Sequence, residues 1–162
     1  MSLSRQVADA PSFFLGAPDR KFPAALVFED DGCRLALNVT AQGPVGLAFD
    51  HLEFTAANRA ERSPEGLRAW ANKLAATLTY LMEPLVVLEI DPLAGEAELR
   101  SQSPTPRGDL LAYYEVRLRK AGALRLSRVV FDETTRRRRP ADCQVTVEIL
   151  ERLAGDLVAC AG

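Results

Sequence analysis

The chain has 162 residues, of which 48% are hydrophobic and 26% are charged, and its formal net charge at pH 7 is −2. This composition is typical of a soluble globular domain. No apolar run reaches the ~18 residues that a membrane-spanning helix needs, and the first residues lack the long apolar stretch of a secretory signal. We therefore expect a cytoplasmic protein that does not bind membranes.

The N-terminal segment differs in pattern from the rest of the chain. Residues 1–23 contain several prolines and show little hydrophobic periodicity, which predicts an irregular lead-in. Within it we expect a short helix around Leu3–Ala8, followed by docking of Phe13–Leu15. Residues 24–162 are then expected to form a single domain.

The first part of this domain shows the alternation of β-strands. Ala24–Glu29 and Arg34–Thr40 are separated by the turn-forming residues Asp30–Cys33, which predicts a hairpin. Leu47–Thr55 has one parity that is apolar except at Asp50, while the other parity carries Leu47, Phe49 and His51. We predict a third strand here.

The best-specified element is a helix in the middle of the chain. Ser63 is a good N-cap, and Pro64 suits the first helical position because its missing N–H group would have no partner there. Apolar residues recur at three- and four-residue steps: Leu67, Trp70, Ala71, Leu74, Leu78 and Leu81. The spacing predicts a helix over about 64–82, ended by Pro84.

Two further strands and a loop follow this helix. Leu85–Leu88 is apolar on both parities, which predicts a strand covered on both faces, either in mid-sheet or at a subunit contact. Glu96–Ser101 alternates and completes a second hairpin. The polar segment Ser101–Asp109 contains two prolines and predicts a mobile loop.

The next hairpin allows a prediction of register. A three-residue loop, Lys120–Gly122 with Gly122 left-handed, places Leu118 opposite Leu124 and Arg117 opposite Arg125. A two-residue loop would mix apolar and charged side chains on both faces, so the three-residue loop is favoured. The outer face of this hairpin should therefore carry arginines.

One residue of this hairpin does not fit the pattern, and a last helix follows it. Arg128 falls on the apolar side, so it must either extend to an edge or pair with a carboxylate. Apolar spacing over about Thr146–Cys160 predicts a C-terminal helix with Thr146 as N-cap. Gly155 within it indicates close backbone packing or fraying.

The order of these elements predicts an α+β fold, with an antiparallel meander of about six to seven strands and one mid-chain and one C-terminal helix packed on the sheet. This order resembles that of small acidic secretion chaperones, which alternate helices with meander strands. The likeness is one of fold alone, and the additional strands depart from it.

The residue types that usually carry chemistry show no recognisable catalytic pattern. Cys33, Cys143 and Cys160 are widely spaced, which indicates free thiols and neither a disulfide framework nor a zinc site. His51 is the sole histidine and has no evident partner in the sequence, so a structural role is favoured over that of a general base. Phosphate-loop, dinucleotide, zinc-protease and hydrolase signatures are absent. We predict no catalytic residue and no cofactor.

Acidic residues cluster at two of the predicted turns. Glu29–Asp31 lies at the first, and the second is surrounded by Glu89, Asp91, Glu96 and Glu98. If the two groups converged they could bind Mg²⁺ or Ca²⁺. Charged turns are expected in any soluble protein, so we predict no metal site.

Basic residues are concentrated in one segment. Residues 117–139 contain nine basic and two acidic residues, which predicts an electropositive region. The candidate partner-binding residues are Arg117, Arg119, Arg125, Arg136, Arg137, Arg138 and Arg139. A solvated face is the most ordinary interpretation of such a run, an arginine-rich protein interface is the next, and nucleic-acid binding is the third, because only Tyr113 offers a stacking surface nearby.

Three functions from different classes remain open. We favour a non-enzymatic protein-binding module of adaptor or chaperone type, with homodimer formation as a further expectation. The alternative is binding of nucleic acid or another polyanion through the basic hairpin and the arginine run of residues 117–139. The third is an unrecognised enzyme that uses carboxylates or His51.

Overall fold

Helices and strands account for most of the described chain. The computed structural model describes residues 2–10, 21–57 and 60–162, so the expected docking of Phe13–Leu15 lies outside the described residues. The helices are α1 (Leu3–Asp9), α2 (Pro64–Thr77) and α3 (Val147–Ala161). The strands are β1 (Ala24–Asp30), β2 (Cys33–Gln42), β3 (Gly46–Ala56), β4 (Leu85–Asp91), β5 (Glu96–Ser101), β6 (Thr105–Arg107), β7 (Leu110–Arg119), β8 (Ala123–Asp132), β9 (Arg137–Ala141) and β10 (Cys143–Thr146).

All the strands belong to one antiparallel sheet. Seven of them follow the order β1-β2-β3-β8-β7-β5-β4, while β10 pairs with β3, β6 with β7 and β9 with β8. The predicted α+β class is therefore confirmed, but the described residues form ten strands rather than six to seven. The three additional strands have three, five and four residues. One of them, β6, lies within Ser101–Asp109, the segment that was predicted to be a loop.

The two faces of the sheet differ in chemistry. The helices pack on one face, where Leu67, Trp70 and Leu74 of α2 are buried together with leucines of α3 and of the strands. Because side chains alternate along a strand, the neighbouring residues point to the opposite face. We call this opposite face the outer face. One row across it runs Asn38, His51, Ser127, Glu115 and Arg100.

The predicted register of the β7–β8 hairpin is confirmed. Leu118 pairs with Leu124 and Arg117 with Arg125. Gly122 has φ +99°, and a Cβ atom there would lie 2.6 Å from the carbonyl oxygen of Ala56. Both the backbone conformation and the close approach therefore require glycine.

The predicted N-caps of α2 and α3 are confirmed, but the predicted C-terminus of α2 is wrong. The Ser63 hydroxyl accepts from the Gly66 N–H at the start of α2. The helix ends at Thr77 and not near residue 82, because Leu78 leaves the helical region with φ −82° and ψ 59°. Leu78 is buried and Leu81 is partly buried. The apolar spacing therefore continues beyond Thr77, although the backbone is no longer helical there.

Of the two positions predicted for β4, in mid-sheet or at a subunit contact, the mid-sheet position is wrong. Among the described strands β4 lies at the end of the order and pairs with β5 alone, so it is an edge strand. Its apolar run is explained in part by α2, which packs against it. Leu85 is buried, whereas Val86 and Val87 are half-buried and Leu88 is exposed.

The C-terminal helix closes the core beside the first helix. Thr146 caps α3 by accepting from the Ile149 N–H. A Cβ atom at Gly155 would lie 3.7 Å from Cβ of Ser4, so this glycine lies where α1 packs against α3, and the helix continues past it to Ala161. None of the helices in the described segments is long and apolar enough to cross a membrane.

Candidate functional site

Three of the predicted arginines lie on the outer face, as the register required. Arg117 and Arg125 are cross-strand neighbours, and Arg119 pairs with Ala123. Each has a carboxylate close to it: Arg125 Nη1 lies 3.1 Å from Glu53 Oε1, Arg119 Nε lies 3.8 Å from Glu96 Oε1, and Arg117 Nη2 lies 3.5 Å from Glu115 Oε1. The outer face therefore carries alternating charges and not a continuous positive surface.

Glu115 is the centre of this arrangement. It is one of the few buried charged residues, although it points to the outer face. Arg100, Arg117 and Arg138 each form an ion pair with it. Burial raises the pKa of Glu115, but a hydrogen bond with Glu98 and the charges of these three guanidinium groups outweigh burial and hold the pKa below its ordinary value.

Three of the four residues of the arginine run lie in a strand of the sheet. Arg137, Arg138 and Arg139 lie in β9, and Arg136 precedes it with φ +61° and stacks on Phe131, 5.4 Å from the ring centre. Arg138 is the one that pairs with Glu115. No ion pair among the described residues involves Arg136, Arg137 or Arg139. These three supply most of the unpaired positive charge that the sequence predicted.

Arg128 lies on the apolar face of the sheet and forms an ion pair with a carboxylate, which is one of the two arrangements predicted for it. Its Nη1 and Nη2 donate to Glu83 Oε1 and Oε2, both at 2.9 Å. The side chains are only 5% and 4% exposed. The Arg128 guanidinium also stacks on Tyr114, 4.4 Å from the ring centre. The pair thus buries two opposite charges within the core.

The Glu83 carboxylate is fully hydrogen-bonded. Ser101 Oγ donates to Oε1 at 3.0 Å and Thr105 Oγ1 donates to Oε2 at 2.8 Å. Burial raises the pKa of Glu83, but the hydrogen bonds from Arg128, Thr105 and Ser101 outweigh burial and lower it. Glu83 therefore fixes the segment that joins α2 to β4.

His51 has a partner that the sequence did not indicate. Asn38 pairs with His51 but Val39 pairs with Phe49, so Asp50 is an extra residue in β3, a β-bulge. The bulge brings Asp50 beside His51, with 2.7 Å between Oδ1 and Nδ1. The Asn38 amide donates to the same oxygen at 2.9 Å. Asp50 therefore holds the proton on Nδ1 and leaves Nε2 for another contact.

The free edge of β4 exposes aliphatic side chains. Six large hydrophobic residues are exposed among the described residues, and three of them belong to β4 or to the segments that flank it. Leu88 is 54% exposed, Met82 before the strand is 61% exposed, and Leu93 after it is fully exposed. Leu88 is skipped in the pairing of β4 with β5, which makes it a bulged residue. We call Met82, Val86 and Leu88 the β4 docking surface.

The remaining sequence candidates do not form a site. The acidic turns lie at opposite ends of the strand order, one between β1 and β2 and the other between β4 and β5. Within the described residues, no three His, Cys, Asp or Glu side chains are placed to bind a metal. Cys33, Cys143 and Cys160 are free thiols, as predicted. Burial raises the pKa of Cys143 to about 11, so its thiol is not a nucleophile.

Comparison with models of protein families, with curated proteins and with solved structures finds no match. The function must therefore be argued from the residues of this chain alone.

Proposed function

We propose that this protein is a non-enzymatic protein-binding module of adaptor or chaperone type, and that the β4 docking surface binds an extended segment of another protein. The observation that carries the proposal is the free edge of β4. An edge strand offers unpaired backbone groups to a further strand, and exposed aliphatic side chains beside them add affinity for an apolar segment.

Charge favours a basic partner at this edge. Glu89 is exposed in β4, and Asp91 ends the strand. A segment that alternates aliphatic and basic residues could place its aliphatic side chains on Leu88 and its basic groups near these carboxylates. A second copy of this chain fits less well. Antiparallel pairing of two β4 strands centred on Leu88 would bring the two copies of Glu89 close together.

Fewer unpaired arginines are available for polyanion binding than the sequence indicated. Four of the seven candidate arginines, namely Arg117, Arg119, Arg125 and Arg138, have carboxylate partners. A polyanion would have to displace these carboxylates or use the remaining three arginines alone. The protein-binding proposal needs no such rearrangement.

The test uses fluorescein-labelled eight-residue peptides and fluorescence anisotropy. One peptide alternates valine with lysine, a second replaces lysine by glutamate, and a third is the lysine peptide with alternate backbone nitrogens methylated. We expect the lysine peptide to bind best and the methylated one to lose binding, because strand addition needs its N–H groups.

Matched variants locate the binding on the protein. Leu88→Lys should weaken the lysine peptide at least about tenfold, because it removes an aliphatic contact and adds a repulsive charge. Val45→Lys is the control, since Val45 is a 75% exposed aliphatic residue in the turn between β2 and β3. Equal affinity of both variants would refute the proposal. So would a wild-type dimer in light scattering that Leu88→Lys converts to a monomer, because a second copy would then occupy the edge.

A further inference from the structure

The strands that flank the β7–β8 hairpin change along its length. From Glu115 onward β7 pairs with β5, and up to Ser127 β8 pairs with β3. At the end far from the hairpin turn, the first residues of β7 pair with β6 instead, and the last residues of β8 pair with β9. The strands β6, β7, β8 and β9 therefore form a four-stranded extension of the sheet.

The register determines which residues of this extension lie on the face where the helices pack. Arg128 lies on that face because its guanidinium group donates to Glu83, and the Thr105 hydroxyl donates to the same carboxylate. Side chains two positions apart in a strand point to the same side. Val130 in β8 and Arg107 in β6 therefore share this face.

The residues beyond the Glu83 contacts combine aliphatic and basic side chains. Val130 pairs with Arg139, and Leu110 pairs with Arg107. Arg137 is two residues before Arg139 in β9 and points to the same side. The three arginines are exposed, whereas Leu110 and Val130 are half-buried. We call these five residues the distal surface.

The layer of helices stops before it reaches the distal surface. The helix α2 packs on β4, β5 and β7, and α3 packs on β3 and β10. None of the main helix–strand contacts in the described part of the chain involves β6, β8 or β9. In a layered domain this face of a sheet is normally covered by helices. The distal surface is therefore a part of the helix face that this chain leaves open.

The positive charge of the distal surface is not neutralised by ion pairs. None of its three arginines takes part in an ion pair among the described residues. Asp132 shares their face, but its Oδ1 accepts from the N–H groups of Thr134 and Thr135 at 2.9 and 3.2 Å. Asp109 and Glu133 lie in the turns beyond the strands. On the strands themselves, three cations therefore face a single carboxylate.

We infer that the distal surface binds an acidic amphipathic helix of another protein. The arginines lie on the outermost strands, β6 and β9, and the aliphatic residues lie on the two strands between them. Three inter-strand steps separate β6 from β9, which is about 14 Å, and a helix with its side chains is about 10–12 Å wide. A helix along the strands would place its apolar stripe on Leu110 and Val130. Acidic residues on either side of the stripe would then lie beside Arg107 and beside Arg137 and Arg139.

A nucleic acid fits this surface less well. Single strands stack their bases on exposed aromatic side chains, but Tyr113 and Phe131 lie on the outer face, because their strand neighbours Tyr114 and Val130 lie on the helix face. Tyr114 is buried beneath Arg128. The inference goes beyond the proposed function and does not depend on it, because the β4 docking surface lies on the far side of β5 and suits a basic segment.

The probe is a fluorescein-labelled sixteen-residue peptide of alanine, leucine and glutamate, with leucines along one side of the helix and glutamates on both sides of them. Its binding is measured by fluorescence anisotropy at about 0.15 M salt. The double variant Arg137→Gln, Arg139→Gln should weaken binding about tenfold, because two charge contacts are lost. The matched control is Arg119→Gln, Arg136→Gln. It removes the same charge from the outer face, where Arg136 stacks on Phe131, and should stay within about twofold of the wild type.

Two further measurements separate an amphipathic surface from general attraction of acidic molecules. Val130→Thr leaves the charge unchanged and should weaken the peptide several-fold, because it replaces a methyl group by a hydroxyl group at the apolar contact. A peptide of the same composition with its leucines distributed around the helix should bind at least about tenfold more weakly. Leu88→Lys should leave the affinity unchanged, which separates this surface from the β4 docking surface.

The inference is overturned if the amphipathic peptide does not bind at high micromolar concentration, if both double variants weaken it equally, or if the redistributed peptide binds as tightly. It is also overturned if a twelve-nucleotide oligouridine binds more tightly than the peptide and is weakened by Arg137→Gln, Arg139→Gln, since the surface would then be one for nucleic acid.

Discussion

Replacing Glu83 by alanine tests the role of the buried ion pair directly. The change removes both acceptors of the Arg128 guanidinium and leaves a charge that is only 5% exposed without its partner. It also removes the acceptor of the Ser101 and Thr105 hydroxyl groups. Breaking a buried pair in this way costs about 3–5 kcal/mol. For a domain of this size the melting temperature should fall by roughly 6–20 °C.

The assay is urea unfolding followed by the fluorescence of Trp70, which is buried in α2. Glu53→Ala is the matched control, because Glu53 and Arg125 form an ion pair that is half-exposed and should contribute no more than about 1 kcal/mol. The double variant Glu83→Leu, Arg128→Met should recover most of the lost stability, since neither charge is then buried. The reasoning is refuted if Glu83→Ala costs no more than Glu53→Ala, or if the double variant is as unstable as Glu83→Ala.

Three further predictions concern pH, backbone conformation and thiol reactivity. The pKa of Glu83 is lowered from 4.5 on folding, so the ionised carboxylate stabilises the folded protein above about pH 4.5, and this stabilisation is lost as the pH falls through the folded-state pKa. The double variant at Glu83 and Arg128 should therefore lose less stability than the wild type between about pH 5 and pH 3 in urea titrations. Gly122→Ala should lower the free energy of unfolding by about 2–4 kcal/mol, because the residue has φ +99° and its Cβ would contact a backbone carbonyl. Gly108→Ala, with φ +63° and open space around it, should lower it by about 1 kcal/mol in the same urea assay. Cys143 is buried with a pKa of about 11, so iodoacetamide at pH 8 should alkylate it at least about a hundredfold more slowly in the folded protein than in urea, as mass spectrometry would show.

The β7–β8 hairpin illustrates what the sequence could determine. A shift of one residue would have exposed Leu118 and Leu124 and buried Arg117 and Arg125, so only one register was compatible with the alternation. The same argument required a carboxylate or an edge for Arg128. It could not identify Glu83, which lies 45 residues away in a segment without regular structure.

The His51 site was missed although the sequence contained its signal. The large buried residues lie at even positions after Asp50 (Leu52, Phe54) and at odd positions before it (Leu47, Phe49), although the small Ala48 is buried as well. Such a change of parity at one polar residue is the pattern of a β-bulge. An interpretation of the change as a bulge would have placed Asp50 beside His51.

The β4 docking surface is connected to the buried ion pair. The Arg128 side chain crosses the core face from β8 to Glu83, which directly follows Met82 of the β4 docking surface. Glu83→Ala should weaken peptide binding even where the protein remains folded, because the segment that carries Met82 loses the contacts that fix it.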